Sequence, residues 1–397
     1  MKQEKTSVLS SSLLWLGAAV SIAEIMTGSL LAPLGFADGL AAIIIGHVIG
    51  CTLLYFAGLI GAKKGLSAME TVRISFGAKG SYLFSIINVL QLLGWTAVMI
   101  ISSARAIGVI TNTAQADTSN LLWSAIIGGM IILWIAVGAK TFSKLNNIAV
   151  AALFVLTVVL GVVVFKGGVP AGASDMQPIT FGAAVELSAA MPLSWLPLIS
   201  DYTRQAQRPK AATLASTLAY FGGSCWMFAI GLGGAIFAGN TDIAQIMAIA
   251  GLGIAGIAIV LLSTVTTTYL DAFSAGVSFS NITKKVGGKK FAIIACIAGV
   301  VIAVVTPIEQ YENFLYLIGS VFAPMIAILI TDFFILKKDH FKEAVNIPNL
   351  VLWAAGFALY RLLLPFETAV GVTLPVMAVI AGLCLITEGV KRLCLKK

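Results

Sequence analysis

Hydrophobic residues occur along the chain in runs of about 20, the length that an α-helix needs to cross the ~30 Å hydrocarbon core of a bilayer. Short polar or glycine-containing turns separate the runs. No connection is long enough for a separate soluble domain, so the pattern indicates one integral membrane domain. It predicts twelve spans, numbered 1 to 12, at residues 13–34, 40–61, 82–109, 121–138, 147–165, 182–200, 212–238, 250–276, 291–306, 314–336, 349–364 and 371–390.

The composition supports a protein embedded in the lipid bilayer. Hydrophobic residues make up 59% of the chain and charged residues 11%, against roughly 25% charged residues in soluble domains. The first apolar run lacks a small-residue cleavage motif, so we expect it to remain as span 1. The five cysteines show no metal-ligand or disulfide spacing, and we interpret them as packing residues.

The basic residues predict the orientation. With both termini in the cytoplasm, only Lys166, Arg361 and Arg105 of the 25 Lys and Arg residues fall away from the cytoplasmic side. This match to the positive-inside rule requires an even number of spans and predicts a multi-pass protein of the cytoplasmic (inner) membrane. The net charge of +8 therefore reports topology. Short basic turns do not form the aromatic-lined groove of a nucleic-acid-binding protein, and no obligate protein partner is evident.

Span 1 places a carboxylate at membrane depth. Glu24 lies near the centre of the stretch LLWLGAAVSIAEIMTGSLLAPLG, residues 13–35. A charged side chain at the bilayer centre costs at least ~2.5 kcal/mol, so such residues face a bundle interior or a watery cavity and commonly mark a functional site. The alternative is a Glu that pairs with a neighbouring hydroxyl beside a water-filled vestibule.

Span 6 contains two helix-breaking residues. Pro192 and Pro197 bracket Ser194 and Trp195, and we expect them to distort or unwind the helix. In a membrane, freed carbonyl groups are tolerated only where they face protein or a cavity. Interrupted helices at corresponding positions of two halves are typical of the binding site of inverted-repeat transporters. For span 6 alone, a simple proline kink is the alternative.

Span 8 carries hydroxyl groups on one helical face, because Ser263, Thr266 and Thr267 stand at i, i+3 and i+4. Sodium prefers oxygen ligands, which these hydroxyls and the carbonyls of an unwound facing helix would supply. Alternatively, the hydroxyls bond back to their own helix. Asp271, two turns further on, could bind substrate, carry a proton or pair with Arg105.

Span 3 places an amide beside an indole, since Gln91 and Trp95 are i, i+4 neighbours. An aromatic plate next to an amide suits a flat heterocycle, because the ring stacks while the amide reads its edge. The competing interpretation is a tryptophan that only packs or lies at the membrane interface.

These segments carry a family resemblance. SDYTR at the end of span 6, QLLGW in span 3, STVTT in span 8 and SFSNITKK after it resemble the nucleobase:cation symporter-1 family of cytosine, hydantoin, purine and allantoin permeases. The likeness covers nearly the whole chain. More narrowly, the chain resembles bacterial hydroxymethylpyrimidine permeases of the CytX type, which are associated with thiamin precursor salvage.

The resemblance implies an all-α polytopic fold. That fold is the LeuT-like five-plus-five inverted repeat of sodium-coupled amino-acid transporters, with two additional C-terminal spans. Spans 1–5, residues 13–165, would form the first repeat and spans 6–10, residues 182–336, the second. Spans 11 and 12, residues 349–390, would be accessory.

The resemblance also implies a sodium site between spans 1 and 8. Its ligands would be the Ser263 carbonyl, the Thr266 and Thr267 hydroxyls and backbone carbonyls near Val20 and Ala23.

The family's substrate contacts can be carried over to spans 3 and 6. Its stacking tryptophan and amide map to Trp95 and Gln91, although their spacing differs from that in cytosine permeases. Its substrate-contacting serine maps to Ser194. Its usual aromatic residue falls on Pro192, and we expect the neighbouring Trp195 to replace it.

We therefore expect secondary active uptake of a pyrimidine-type heterocycle, hydroxymethylpyrimidine, by Na⁺-coupled symport with alternating access. Glu24, near the position where hydantoin carriers place an amide, would accept from the exocyclic amine of a 4-aminopyrimidine, and Trp95 would stack on the ring. The alternatives are transport of cytosine, another nucleobase or allantoin, coupling to protons, or a passive channel.

An enzyme is not expected. The two histidines, His47 and His340, belong to no nucleophile–base pair or metal cluster in the sequence. We interpret His47 as a packed residue of span 2, and we expect no cofactor apart from the coupling ion.

Overall fold

A computed structural model describes residues 5–113, 119–137, 139–166, 176–242, 246, 253–305, 311–366 and 368–394. These residues are almost entirely helical, with one isolated bridge between Thr6 and Ala206. The α-helices are α1 Val8–Ala19, α2 Ile22–Ser29, α3 Phe36–Lys64, α4 Ala68–Phe76, α5 Gly80–Ile110, α6 Ser119–Val137, α7 Ala139–Lys166, α8 Phe181–Ser194, α9 Leu196–Thr203, α10 Pro209–Ala238, α11 Gly253–Ile282, α12 Gly288–Val305, α13 Tyr311–Ile330, α14 Ile347–Leu363 and α15 Thr373–Cys394. A 3₁₀ turn, Ala32–Leu34, precedes α3, and a π-helical turn, Thr331–Leu336, follows α13.

The helices confirm the all-α membrane fold predicted from hydropathy. Within the described residues, ten helices are long and apolar enough to cross a membrane, and the bent pair α1 and α2 makes an eleventh span. Helix α14, an apolar helix of 17 residues, lies at the predicted span 11. The count of twelve is consistent with this arrangement. The protein is a multi-pass membrane protein.

Ion pairs between helix ends show which ends share a face of the bundle. The ends of spans 2, 6, 10 and 12 are joined on one face, where many of the basic residues lie. The end of span 3 is tied on the other face to the segment after span 7. The pairs are Lys64–Asp339 at 3.1 Å, Arg204–Glu70 at 3.7 Å and Lys338–Glu388 at 2.6 Å on the basic face, and Arg105–Asp242 at 2.6 Å on the other.

Helix α3 packs closely against α8 through glycines. A Cβ atom at Gly46 would collide with Ser188 and the Val185 carbonyl, and one at Gly50 would collide with Pro192. Small residues allow helix backbones to approach closely in membranes, where packing replaces the hydrophobic drive between helices. The first half of span 6 is therefore held firmly against span 2.

Helix α10 contacts the second half of span 1 in the same way. A Cβ atom at Gly28 would collide with the Phe228 backbone, and one at Gly231 with the Ile25 carbonyl. Helix α2 is thus fixed against span 7, and its side chains are positioned by that contact.

The accessory helices are attached to span 6 through a buried carboxylate, Glu186 of α8. Its Oε2 accepts hydrogen bonds from the backbone N–H groups of Val372 at 2.6 Å and Thr373 at 2.8 Å. Its Oε1 accepts from the Thr373 hydroxyl at 2.6 Å and from the Tyr360 hydroxyl. The negative charge lies at the N-terminus of α15, where exposed N–H groups favour an anion. Glu186 therefore fastens α14 and α15 to the transport core.

Candidate functional site

Span 1 is broken at Val20 and Ser21, between α1 and α2, whose axes differ by 48°. The Ser21 hydroxyl accepts from the Ala23 N–H at 3.1 Å, and the Ser263 hydroxyl of α11 accepts from the Ile22 N–H at 3.0 Å. Two donors at the start of α2 are thus satisfied, one by an N-capping serine and one by span 8. The break is a built feature shared by spans 1 and 8.

Span 6 is interrupted at a single residue, Trp195, between α8 and α9. Pro192 lies in the last turn of α8, and Pro197 lies in the first turn of α9. The distortion expected from the two prolines is present but small. Among the described helices, only the α1–α2 pair bends by more than 40° at such a break.

Amides of span 3 bind the carbonyls that this interruption frees. Gln91 Nε2 donates to the Ser194 carbonyl at 2.9 Å and to Asn88 Oδ1 at 3.1 Å, and Asn88 Nδ2 donates to the Pro197 carbonyl at 3.2 Å. The Gln91 side chain does not line the central cavity in this conformation. Its observed contact is with the backbone of span 6.

A small cavity lies between the two breaks. Its volume of about 10 Å³ accommodates about one water molecule, so a ring-sized substrate requires its walls to separate. Seven of the eleven sequence-predicted site residues line it, namely Ala23, Glu24, Trp95, Ser194, Trp195, Thr267 and Asp271. Ser21, Met99 and Met191 complete the lining, whereas Val20, Gln91, Ser263 and Thr266 lie outside it.

Two carboxyl groups meet at this cavity. Glu24 is 1% exposed; its Oε1 accepts from the Tyr220 hydroxyl at 2.8 Å, and its Oε2 has no hydrogen-bond partner among the described residues. Asp271 is also buried and makes no hydrogen bond or ion pair within the described part of the chain. Arg105 binds Asp242 instead, so the suggested pairing of Asp271 with Arg105 is not what the structure shows.

Trp95 forms one wall of the cavity. Its ring contacts Tyr311 and Phe314 of α13 edge-on, with centroid distances of 6.1 and 5.4 Å, and its indole N–H is unpaired in the described structure. The Tyr311 hydroxyl in turn bonds the Thr27 hydroxyl of α2 at 2.7 Å. Span 10 therefore covers Trp95 and is tied to span 1 on this side.

Trp195 forms the opposite aromatic layer. Its ring lies edge-on to Trp15 at 5.5 Å and near Tyr220 at 6.3 Å. Beyond this layer, towards the basic face, lies a cavity of about 170 Å³ lined in part by Trp15 and Asp201. One aromatic layer therefore separates the centre from that larger cavity.

The oxygen atoms proposed for sodium are mostly engaged with one another. The Thr266 hydroxyl donates to the Leu262 and Ser263 carbonyls at 2.8 and 3.1 Å, as hydroxyls that bond back to their own helix do. The Ala23 carbonyl accepts from the Thr27 hydroxyl at 2.8 Å.

The Thr267 hydroxyl is the exception in this set. It is buried at the cavity and has no partner among the described residues. Clusters of three or more His, Cys, Asp or Glu side chains do not occur within the described ranges. The oxygens facing the break are therefore hydroxyls and carbonyls, which suit a hard monovalent cation better than a transition metal.

Sequence reasoning missed several lining residues. Met99 stands one turn after Trp95 and two turns after Gln91, so helical periodicity could have placed it on the same face. Tyr220 has no comparable signal, because its approach to Glu24 depends on the packing of α10 against span 1. Glu186 was not singled out either, although a carboxylate within span 6 is the same kind of signal as Glu24.

Comparison with known proteins agrees with this geometry. Residues 2–381 match the family described as permeases for cytosine/purines, uracil, thiamine and allantoin. The cytosine permease of Escherichia coli (strain K12) is 29% identical over 391 residues, covering 95% of this chain and 90% of that protein.

Two solved structures share the fold. Mhp1, a nucleobase-cation-symport-1 family transporter in a closed conformation with bromovinylhydantoin bound, superposes with a TM-score of 0.78 at 17% identity, covering 96% of this chain and 92% of that one. A Na⁺-coupled sialic acid symporter gives a TM-score of 0.71 at 15% identity, covering 97% and 88%. Together with the matched residues 2–381, these findings show that the chain belongs to the nucleobase:cation symporter-1 family of permeases for cytosine/purines, uracil, thiamine and allantoin, and is a transporter rather than an enzyme.

Proposed function

We propose that this permease takes up a 4-aminopyrimidine, with hydroxymethylpyrimidine as the first candidate, by cation-coupled symport. The observation that carries the proposal is the meeting of the Glu24 carboxyl and the Trp95 indole at one cavity between the breaks of spans 1 and 6. A carboxylate accepts from an amine, and an indole stacks on a flat ring. The pair therefore suits an aromatic ring that carries an exocyclic amine.

Recognition would use both walls of the cavity. The unpaired Glu24 Oε2 would accept from the amine while Trp95 stacks on the ring. Asp271 offers a second acceptor, and Ser194 and Trp195 close the side formed by span 6. Gln91 would contribute by holding the span 6 backbone, unless opening of the cavity frees its amide.

Cytosine is the second candidate substrate. It carries the same exocyclic amine, and the Escherichia coli cytosine permease is similar over nearly the whole chain. The difference between the two candidates lies in the ring substituents, which must fit among Met99, Met191 and Trp195.

Sodium is the proposed coupling ion, with Thr267 as its first ligand. The supporting observation is the unpaired Thr267 hydroxyl beside the helix break. Val20, Ala23, Ser263 and Thr266 would complete the site after a small rearrangement of their hydrogen bonds. Uptake by proteoliposomes in sodium, compared with choline under a fixed proton gradient, tests this. Equal rates would contradict sodium coupling and favour a proton carried by Glu24 or Asp271.

Alternating access would operate between two inverted repeats, residues 13–165 and 182–336, with residues 349–390 as accessory spans. Both termini would lie in the cytoplasm, so the larger cavity on the basic face would be the route of release. A passive channel would instead carry solute without counterflow. Saturable uptake that unlabelled substrate on the other side accelerates would support the carrier and contradict the channel.

A competition experiment tests the substrate. Uptake of labelled hydroxymethylpyrimidine by proteoliposomes is measured against unlabelled hydroxymethylpyrimidine, cytosine, uracil, allantoin and thiamin. Inhibition by hydroxymethylpyrimidine at the lowest concentration supports the first candidate. Stronger inhibition of labelled cytosine uptake by cytosine supports the second, and inhibition by uracil or allantoin alone contradicts recognition through an exocyclic amine.

A further inference from the structure

His47 lies within a continuous set of polar groups inside the helix bundle. The side chain, on α3, is fully buried. Its Nδ1 is 2.8 Å from the Ile43 carbonyl, and its Nε2 is 2.7 Å from the Ser224 hydroxyl of α10. A carbonyl only accepts, so Nδ1 carries a hydrogen. Nε2 is then an acceptor in the neutral ring and a donor in the imidazolium, and Ser224 can serve either form.

Ser224 leads from His47 back to the central cavity. Its hydroxyl lies beside the Glu24 carboxyl and the Tyr220 hydroxyl. Tyr220, one helical turn before Ser224, binds Glu24 Oε1 at 2.8 Å, and Oε2 is buried without a hydrogen-bond partner in the described ranges. The Glu24 carboxyl is thus held by one oxygen, while its other oxygen is free to bind a proton or a ligand.

We propose that Glu24, Ser224 and His47 form a proton relay in which His47 stores the proton that Glu24 releases when an amine-bearing substrate binds. The proton leaves the Glu24 carboxyl for the Ser224 oxygen, while the Ser224 hydroxyl proton moves to His47 Nε2. One O–H bond breaks on Glu24 and one N–H bond forms on His47. Ser224 is neutral before and after, and Tyr220 is a positioning residue that keeps its own proton.

The relay has an electrostatic reason. A buried carboxylate with one hydrogen-bond donor and no cation beside it is costly. Transfer within the site creates a carboxylate that can accept from the substrate amine and an imidazolium whose two N–H groups both have acceptors, the Ile43 carbonyl and Ser224. The net charge of the buried region does not change, so no ion has to enter or leave for the substrate to be recognised.

Other ionisable groups surround Glu24 on several helices. Cys51 on α3, Cys225 on α10 and Tyr311 on α13 are near enough to interact with its charge, and Asp271 on α11 lines the same cavity. None of these four is hydrogen-bonded to His47. Asp271 is the competing proton acceptor, so an Asp271→Asn variant is included in the test.

Proton release on substrate binding measures the relay. It rests on the proposed function, because the probes are cytosine and hydroxymethylpyrimidine. Calorimetry of the detergent-purified protein in buffers of different ionisation enthalpy gives the number of protons released. We expect none in the wild type or in Asp271→Asn, with an affinity that does not vary between pH 6 and 8. In His47→Gln and Ser224→Ala we expect about one proton released and an affinity that rises about tenfold per pH unit.

Ser216→Ala is the matched control. Ser216 lies on α10 two turns before Ser224, is buried and has no hydrogen-bond partner among the described residues. It should behave as the wild type. Release of a full proton by the wild type, or equal proton counts in the wild type and His47→Gln, would overturn the relay. Loss of the flat pH profile only in Asp271→Asn would assign proton storage to Asp271 instead.

A second measurement is independent of any substrate. Infrared spectroscopy of the ligand-free protein follows the carboxyl band that disappears in Glu24→Gln. We expect this band to persist to a pH at least one unit higher in His47→Gln than in the wild type, and to be unchanged by Ser216→Ala. No shift in His47→Gln would refute the relay. If neither pyrimidine binds, the proposed substrate fails while this measurement still decides on the relay.

Discussion

Ile22 donates its backbone N–H to the Ser263 hydroxyl across 3.0 Å, so a side chain of span 8 caps the restart of the broken span 1. The contact joins two elements 241 residues apart in sequence. Any movement of span 8 relative to span 1 must break or carry this bond, which makes it a direct link between the break and the scaffold.

Ser263→Ala should destabilise the protein and slow uptake. The substitution leaves the buried Ile22 N–H without an acceptor, at a cost of about 1–3 kcal/mol. Thermal unfolding in detergent measures the first effect and initial uptake rates the second. Ser263→Thr retains the hydroxyl and should recover most of both. Full activity and stability in the alanine variant would mean that the bond is dispensable.

Glu24→Gln should selectively weaken binding of aminopyrimidines. The amide is a poorer acceptor for the exocyclic amine, and hydrogen bonds to charged groups contribute about 1.5–3 kcal/mol, which corresponds to roughly 10- to 100-fold in affinity. Uracil, which lacks that amine, is the matched ligand and should be affected less. Unchanged cytosine and hydroxymethylpyrimidine affinities would exclude Glu24 as the reader of the amine.

Trp95→Ala should reduce substrate affinity about tenfold, because the ring loses its stacking partner and the contact area with it. Trp95→Phe should lose less, since a smaller aromatic face remains. Equilibrium binding of labelled substrate compares the two. Trp123→Phe on α6, away from the cavity lining, is the control and should bind as the wild type. An equal loss in the alanine and phenylalanine variants would argue against stacking.

Glu186→Ala should lower stability without changing substrate preference. It removes the common acceptor of the Val372 and Thr373 N–H groups and of the Thr373 and Tyr360 hydroxyls, at a cost of at least about 3 kcal/mol. Glu186→Gln keeps one acceptor oxygen and should lie between alanine and the wild type. The melting temperature tests this order, and a changed ratio of cytosine to uracil binding would contradict a purely structural role.

Acid should remove the stabilising contribution of Glu70, which lies outside the spans on α4. Burial alone would raise its pKa, but hydrogen bonds from the Ser67 backbone and hydroxyl and the charges of Arg204 and Lys284 outweigh burial and lower it below 4.5. A lowered folded-state pKa gives stability that is present above the ordinary value and lost as pH falls through the lowered one.

Glu70→Gln should therefore melt at a lower temperature than the wild type at pH 7. The difference should shrink in acid, as protonation removes the charge from the wild type. Thermal unfolding across this pH range checks the sign. A difference that grows in acid would be inconsistent with the lowered pKa.

The fold was predictable because lipid leaves a chain few choices. Backbone groups in the hydrocarbon core must be bonded internally, so apolar runs of sufficient length become helices. The apolar runs that predicted span 2 and span 7 correspond to α3 and α10. The sequence could not show that the distortion in span 6 stops at one residue, because this depends on Gln91 and Asn88 of span 3 binding the freed carbonyls.

The candidate site was predictable where a residue breaks the rules of a membrane helix. Glu24 and Asp271 stood out as carboxylates at membrane depth, and both line the cavity. Thr266 and Gln91 were harder to place, because a hydroxyl or an amide can bond its own backbone, a neighbouring helix or a ligand at similar cost. Tyr220 acquires its contact with Glu24 only when α10 packs against α2.

The single layer formed by Trp15 and Trp195 has an electrical consequence. Water that enters the 170 Å³ cavity carries the potential of the bulk solution up to these rings, so part of the membrane voltage falls across a short distance. A full elementary charge crossing 100 mV gains or loses about 2.3 kcal/mol. A coupling ion that passes this layer therefore takes up much of the driving force within one step, and the opening of these two indoles is where voltage should set the rate of uptake.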